Sequence, residues 1–460
     1  MGKIRVIVTW WDMGQYRPPC EGIRQGRSQV AADNAGAGGD RVSWRSWYAL
    51  GLLFVVYVFN FIDRSILGML NQPIKEDLGL SDTQMGFLGG VAFAIFYTFI
   101  GIPVARLADV SVRRNVVAVS LAVWSGMTVL CGFAGNFWHL LLARIGVAIG
   151  EAGGSPPSHS MISDLFPERR RATALAIYAL GIPAGGMFGS LLGGWLNEAF
   201  DWRTAFILVG APGLVLAIFV RLTLREPVRG AMDSVPRQLA PAPPVRAVIA
   251  HLWSRRSFRL LVLGASLQSF VGYGVGYWIP SFLMRVHDMG SASIGVWLFW
   301  LGVPGMLGTF LGGWLGDRLS ARDVRWYVWL PGIANLVALP FSVFFYVWPD
   351  VVMALSVSAF AGFLGGYYLG PTFALTQAMA TPQMRAMAAS LLLFSINLIG
   401  MGLGPQVTGL LSDLYASPTD AGAGGLRLAL ISVTLVNGLA AVAFLGAGRW
   451  LKRDLSLGAL

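Results

Sequence analysis

Residues 46–70, SWYALGLLFVVYVFNFIDRSILGML, are apolar almost throughout and carry two adjacent charges, Asp63 and Arg64. A helix rises about 1.5 Å per residue, so this stretch is long enough to cross the roughly 30 Å of hydrocarbon in a bilayer. A charged group at that depth costs about 3 kcal/mol even on lenient insertion scales, so it faces a protein interior or a water-filled cavity and carries function. The apolar run Phe137 to Met161 is interrupted in the same way by Arg144 and Glu151. The working centre is expected where these two helices meet.

The rest of the chain supports a membrane reading. Of 460 residues, 55% are hydrophobic and 12% charged, too apolar a balance for a soluble protein of this size. Stretches of about 20 apolar residues occur at 46–70, 83–105, 114–134, 138–161, 172–197, 204–224, 258–283, 293–315, 326–348, 351–379, 386–411 and 427–448. The expected fold is therefore an all-α integral membrane protein with twelve transmembrane helices.

A net charge of +11 raises the possibility of nucleic acid, but the positions of the basic residues exclude it. Of 34 Lys and Arg, 28 fall in the two tails and the even-to-odd helix connections; Lys75, Arg203, Arg285 and Arg427 lie in the opposite loops, and Arg64 and Arg144 are intramembrane. This is the positive-inside asymmetry, which predicts cytoplasmic termini and some attraction to anionic membrane lipids. Cys20 and Cys131 offer no credible disulfide, and His139, His159, His251 and His287 are scattered, so neither a metal nor a cofactor is expected. Residues 1–45 lack the apolar core of a signal peptide and read as a disordered cytoplasmic tail, with Ile4 to Trp11 a candidate for the membrane surface.

The interval 225–257, with Pro227, Pro236, Pro241, Pro243 and Pro244, reads as a cytoplasmic linker. It separates a bundle over 46–224 from one over 258–450, and 451–460 forms a C-terminal tail. A pattern of small-x-Leu-x-acid closes four helices: Ala105-x-Leu107-x-Asp109, Gly194-x-Leu196-x-Glu198, Gly313-x-Leu315-x-Asp317 and Gly409-x-Leu411-x-Asp413. Its placement matches a nested three-plus-three repeat, which implies two pseudo-symmetric six-helix bundles.

The second-to-third connection includes Asp109, Arg113 and Arg114, and the eighth-to-ninth includes Asp317, Arg318 and Arg322. Both resemble the cytoplasmic motif A of the major facilitator superfamily, although Ala105 and Val112 replace glycines in the first copy. The resemblance implies the major facilitator fold and a cytoplasmic gate, in which the acid accepts hydrogen bonds and an ion pair from the other bundle. Further residues narrow it: Asn60-Phe-Ile-Asp63-Arg64, Arg144 through Gly150-Glu151-Ala152 to Pro156-Pro157, and Asn397 through Gly404-Pro405-Gln406 resemble the spinster family, over about 46–450. That resemblance implies transport of lysophospholipids or sphingoid-base phosphates by alternating access, coupled to protons through acids of the N-terminal bundle.

The residues themselves place the coupling site similarly. Asp63 lies roughly 7 Å from the middle of its helix and Arg144 roughly 8 Å from the middle of its own, on the same side, with Glu151 near the midplane. Burial favours the neutral form of a carboxyl group and a neighbouring guanidinium favours the anion, so a carboxyl between the two can switch protonation. Glu151 is the expected proton carrier; Asp63 and Arg144 are expected to pair in one state and part in another, or else to form a permanent structural ion pair. Arg64 or Arg144 would hold an anionic headgroup, with Glu151, Tyr273, Tyr277 and Asn397 also in the substrate cavity. Gln268, Trp278 and Gln406 are further cavity candidates, although helix-seven aromatics also serve as packing or interface anchors.

The functional expectation is a secondary transporter of lysolipid-like amphiphiles in the inner membrane, needing no obligate protein partner. The alternatives are an organic-anion or drug antiporter and a non-transporting membrane sensor. A lipid-modifying enzyme is disfavoured because neither a nucleophile with its base nor a clustered metal site is evident.

Overall fold

A computed structural model describes residues 42–232, 244–381, 383–417 and 422–456. Most of the expected N-terminal tail, including Ile4 to Trp11, lies outside the described residues. A backbone inside hydrocarbon must satisfy its own hydrogen bonds, and helices do this one segment at a time. Among the described residues, eleven helices are long and apolar enough to cross a membrane. They are α1 (Trp44–Met69), α2 (Asp82–Val110), α3 (Arg113–Cys131), α5 (Glu168–Ala199), α6 (Trp202–Thr223), α7 (Arg256–His287), α8 (Ser291–Ser320), α9 (Trp326–Val347), α10 (Val351–Ala378), α11 (Arg385–Leu414) and α12 (Ala423–Ser456).

The remaining segment, α4, occupies the predicted fourth position in two pieces, Phe137–Glu151 and Ser155–Leu165. Its break follows from Ala152-Gly-Gly-Ser-Pro156-Pro157. Two glycines relax the backbone, and two prolines, which lack an N–H and fix φ, suit the first turn of a new helix better than the interior of an old one. Polar caps set several other starts. Ser43, Ser81, Asn136, Asp201 and Asp350 each accept a backbone N–H in the first turn that follows. The helix α12 runs on to Ser456, into the segment read as a tail, because Asp454 accepts hydrogen bonds from the Ser257 amide and hydroxyl at 2.8 and 2.7 Å.

In the first bundle α3 packs between α4 and α6, and α1 lies against α5; in the second, α12 packs on α7 and α9, and α10 on α8 and α9. The contact of α1 with α5 is unusually close. Gly181, Gly185, Gly189 and Gly193 form a ridge at every fourth position, and a Cβ on Gly185 would stand 2.5 Å from both the Phe61 Cβ and the Val58 carbonyl. That ridge fixes the height of Asp63 and Arg64 relative to α5.

The bundles meet along α5 with α8, α2 with α11, and α1 with α7. Their polar contacts gather at the end that carries Asp82. Arg285 of α7 grips Asp82 through two nitrogens at 2.7 Å each and donates to Gln72 at 2.5 Å. Ser412 also donates to Asp82, at 2.6 Å, and Lys75 pairs with it at 2.6 Å. Asp413 accepts from the first-turn amides of α2, and Glu198 accepts the Ala292 amide of α8 at 2.8 Å. Glu198 and Asp413 are the acids of the repeated pattern in α5 and α11, so each caps a helix of the opposite bundle.

The linker divides its attachments. Residues 224–230 lie on the first bundle through Arg113, Arg114 and Arg229, whereas the helix Val245–Trp253 packs on α7 and α11.

Candidate functional site

Adjacent residues on a helix point about 100° apart, so Asp63 and Arg64 leave α1 in different directions. Arg64 faces the gap between bundles. Its Nε lies 2.6 Å from Glu151 Oε2, and its NH1 contacts the Met401 sulfur of α11 at 3.9 Å. The guanidinium also sits over three rings, Phe61 at 4.9 Å, Phe93 at 5.2 Å and Tyr97 at 4.4 Å. A cation on the face of an aromatic ring gains attraction that grows when water is excluded, so this arginine is held charged and oriented by the cage and the carboxylate together.

Asp63 instead turns into the first bundle and is 1% exposed. Glu151, Arg144 and Thr128 are its electrostatic and polar neighbours. No hydrogen bond joins it to Arg144 here: Asp63 Oδ1, Arg144 Nε and Arg144 NH1 are all buried without a partner. Arg144 also lies over the Phe93 ring, 5.1 Å from its centroid. The predicted cluster of Asp63, Arg64, Arg144 and Glu151 is therefore assembled in one place, but the ion pair within it joins Arg64 to Glu151.

Beside Arg64 lies a cavity of about 240 Å³; its charged groups, Arg64 and Arg144, come from the first bundle together with Phe61, Met69 and Phe93, and the second bundle contributes Tyr273, Tyr277, Pro280 and Met401. Tyr277 both lines and closes it. Its ring presses against Gly89 of α2, and its hydroxyl donates to the Met85 carbonyl at 2.9 Å. Only a glycine leaves room for the ring there. Asn397 is half-buried in α11 and does not line this cavity. Trp278 is wholly buried and donates to the Pro405 carbonyl at 2.9 Å, a packing role.

Two bundles of six segments around a central charged cavity match a known family model. The description "Major Facilitator Superfamily" fits residues 53–405. The chain belongs to the major facilitator superfamily. This facilitator is 36% identical over 430 residues to an MFS-type efflux pump of Mycolicibacterium smegmatis, covering 93% of the chain and 98% of that protein. It is 30% identical over 286 residues to Protein spinster of Drosophila melanogaster, covering 61% of the chain and 47% of that protein. Its fold superposes with a TM-score of 0.83 and 32% identity on a bacterial homologue of the human lysosomal transporter spinster, solved in an inward-facing and unoccupied conformation, over 91% of this chain and 99% of that one. The facilitator is a multi-pass, spinster-like membrane transporter rather than an enzyme.

The motif A residues of this facilitator occupy the end opposite Asp82. Arg113 is 1% exposed and donates to Asp164 at 2.5 Å, Ser160 at 2.8 Å, Glu226 at 2.8 Å and the Pro227 carbonyl at 2.9 Å. The Arg114 amide donates to Glu226 at 2.8 Å. All these partners belong to the same bundle and the linker segment that follows it. Asp109 is exposed; Asp317 accepts from the Tyr327 hydroxyl at 3.0 Å within its own bundle, Arg318 lies over the Trp314 ring, and Arg322 is exposed.

Sequence reasoning missed Phe93, Tyr97 and Met401 as parts of the arginine cage. Tyr97 carried a signal, since it is the one hydroxyl-bearing ring in the run Val91 to Phe99. Phe93 and Met401 carried none, because packing and cage-forming residues look alike before the helices are placed.

Proposed function

We propose that this facilitator moves lysophospholipid- or sphingoid-like amphiphiles across the membrane by alternating access, with proton movement at Glu151 and Asp63. The observation that supports this reading best is the pairing of Arg64 with Glu151 at the edge of a cavity whose other wall is aromatic and apolar. An anionic headgroup and Glu151 compete for one guanidinium. Protonation of Glu151 releases Arg64 to the headgroup, while the tail lies against Tyr273, Leu298 and Met401. Arg144 and Asp63, close but not joined by a hydrogen bond in this state, then exchange partners as the bundles rock.

With the linker in the cytoplasm, as the basic residues imply, the closed Asp82 end is the outer one and this conformation faces inward. We place the protein in the cell inner membrane with both termini cytoplasmic. Asp109 and Asp317 then belong to a cytoplasmic gate that engages only in the outward-facing state. No cofactor other than protons is invoked, and the partners are the substrate and the surrounding lipid.

The test is accumulation of a labelled lysophospholipid in proteoliposomes under an imposed pH gradient, comparing the intact protein with Glu151→Gln. Gradient-driven uptake that disappears in the variant supports the reading; equal uptake in both removes Glu151 as the carrier. The second reading is an organic-anion or drug antiporter, favoured by the likeness to an efflux pump over nearly its full length. Absence of lysolipid flux, with counterflow of a small organic anion or cationic drug in the same vesicles, would select it.

A further inference from the structure

The helix Val245–Trp253 lies immediately before α7 and has an apolar arc wider than its docking face requires. Val248 and Leu252 are buried, at 1% and 0% exposure, in a cluster with Leu375 of α10, Leu392 of α11 and Leu451 of α12. Next to them on the wheel, Val245, Ile249 and Trp253 form a second stripe at every fourth position, and they stay 49%, 40% and 52% exposed. A solvated helix would carry polar groups on that stripe.

Charge borders the same stripe. From Pro244 to Leu260 there are four arginines and no acid. Arg255 is buried and donates to the Met379 carbonyl at 2.6 Å, whereas Arg246, Arg256 and Arg259 are exposed. Two residues separate the helix from α7, and it ends close to Phe258, the first buried apolar side chain of that span, which sets it at the height of the membrane surface. Exposed aliphatic groups, a tryptophan and flanking arginines at that height form the composition of an interfacial helix, with its apolar side at the boundary of headgroups and acyl chains.

We propose that Val245–Trp253 is a lipid-binding element that seats on the anionic surface of the leaflet on the linker side. Val245, Ile249 and Trp253 enter the headgroup boundary, and Arg246, Arg256 and Arg259 pair with lipid phosphates. Because the opposite side of the helix is packed on α7 and α11, the lipid surface also holds the linker-side ends of the second bundle at a fixed height while the first bundle moves.

Hydrogen–deuterium exchange of the full-length protein in nanodiscs tests this. Peptides covering 245–253 should exchange several-fold more slowly in discs containing phosphatidylglycerol than in phosphatidylcholine alone, and high salt should abolish the difference. An arginine at an anionic surface is worth about a fivefold change in surface affinity, so Arg246→Gln with Arg256→Gln and Arg259→Gln should remove the lipid dependence. Exchange that is equally slow in both lipids and in detergent would mean that another part of the chain covers the stripe, and would overturn the proposal. Equally fast exchange in both lipids would overturn it too.

Discussion

Thr83, in the first turn of α2, donates its backbone amide and its hydroxyl to one carboxylate oxygen of Asp413 in the opposite bundle, at 2.7 and 2.6 Å. A helix N-terminus leaves unsatisfied N–H groups and carries partial positive charge, so an acid there is both a cap and a favourable charge. Ser81 of the same bundle caps the Gln84 amide, but the partner for the Asp82 and Thr83 amides comes from a separate moving body, and Asp413 holds them only while the bundles are closed at that end.

Asp413→Ala should therefore open the Asp82 end. Loss of a cap is worth about 1 kcal/mol, or roughly a fivefold shift in the conformational population. Distances between spin labels at the exposed Glu76 and Leu414 should lengthen, with Asp413→Asn intermediate because an asparagine oxygen still caps. Identical distance distributions in all three proteins would remove Asp413 from the closure.

The glycine ridge on α5 makes a sharper steric prediction. Gly185→Ala puts a methyl group against the Phe61 Cβ and the Val58 carbonyl, where backbone must give way, and overpacking of that kind costs about 1 to 3 kcal/mol. Gly186→Ala one residue on meets only the Ser65 hydroxyl, at 3.7 Å, and should be silent. Thermal unfolding in detergent should separate the two variants by several degrees.

Arg113→Gln should destabilise the fold more than Arg114→Gln. The Arg113 guanidinium is buried between Asp164 and Glu226, and removing one partner of a buried charged cluster costs about 3 to 5 kcal/mol. Arg114 holds Glu226 through its backbone amide, which a side-chain substitution leaves in place. Thermal midpoints and the yield of monodisperse protein would read the difference.

Under the proposed function, Glu151→Gln frees Arg64 at all pH values. Binding of an anionic lysolipid, followed by tryptophan fluorescence, should tighten by about tenfold at neutral pH and lose its pH dependence. Unchanged affinity would mean that Arg64 does not hold the headgroup.

Much of this was legible in the chain because hydrocarbon enforces a simple rule: an apolar run of about twenty residues becomes a spanning helix. The rule located α1 to within two residues at its start and marked Asp63, Arg64, Arg144 and Glu151 as one cluster. It could not say that Arg64, rather than Arg144, holds a carboxylate, because that depends on how α1 and α4 are rotated about their axes. The repeated small-x-Leu-x-acid pattern was likewise visible, yet its acids at Glu198 and Asp413 acquire a meaning only once each is seen at the start of a helix in the other bundle. Asn397 is polar on an apolar helix, which marks it as a candidate, yet it lies outside the cavity lining.

The interruption of α4 at 152–154 bears on how force passes through the first bundle. Glu151 ends the piece that lies against the charged cluster, while Ser160 and Asp164, which hold Arg113, belong to the piece that follows. An unbroken rod would transmit any tilt at the central pair directly to the linker-side rim. Two rods joined by a pair of glycines instead act as an elbow, so a change of charge at Glu151 can be absorbed locally or relayed to the rim according to whether Arg113 keeps its grip on the far rod.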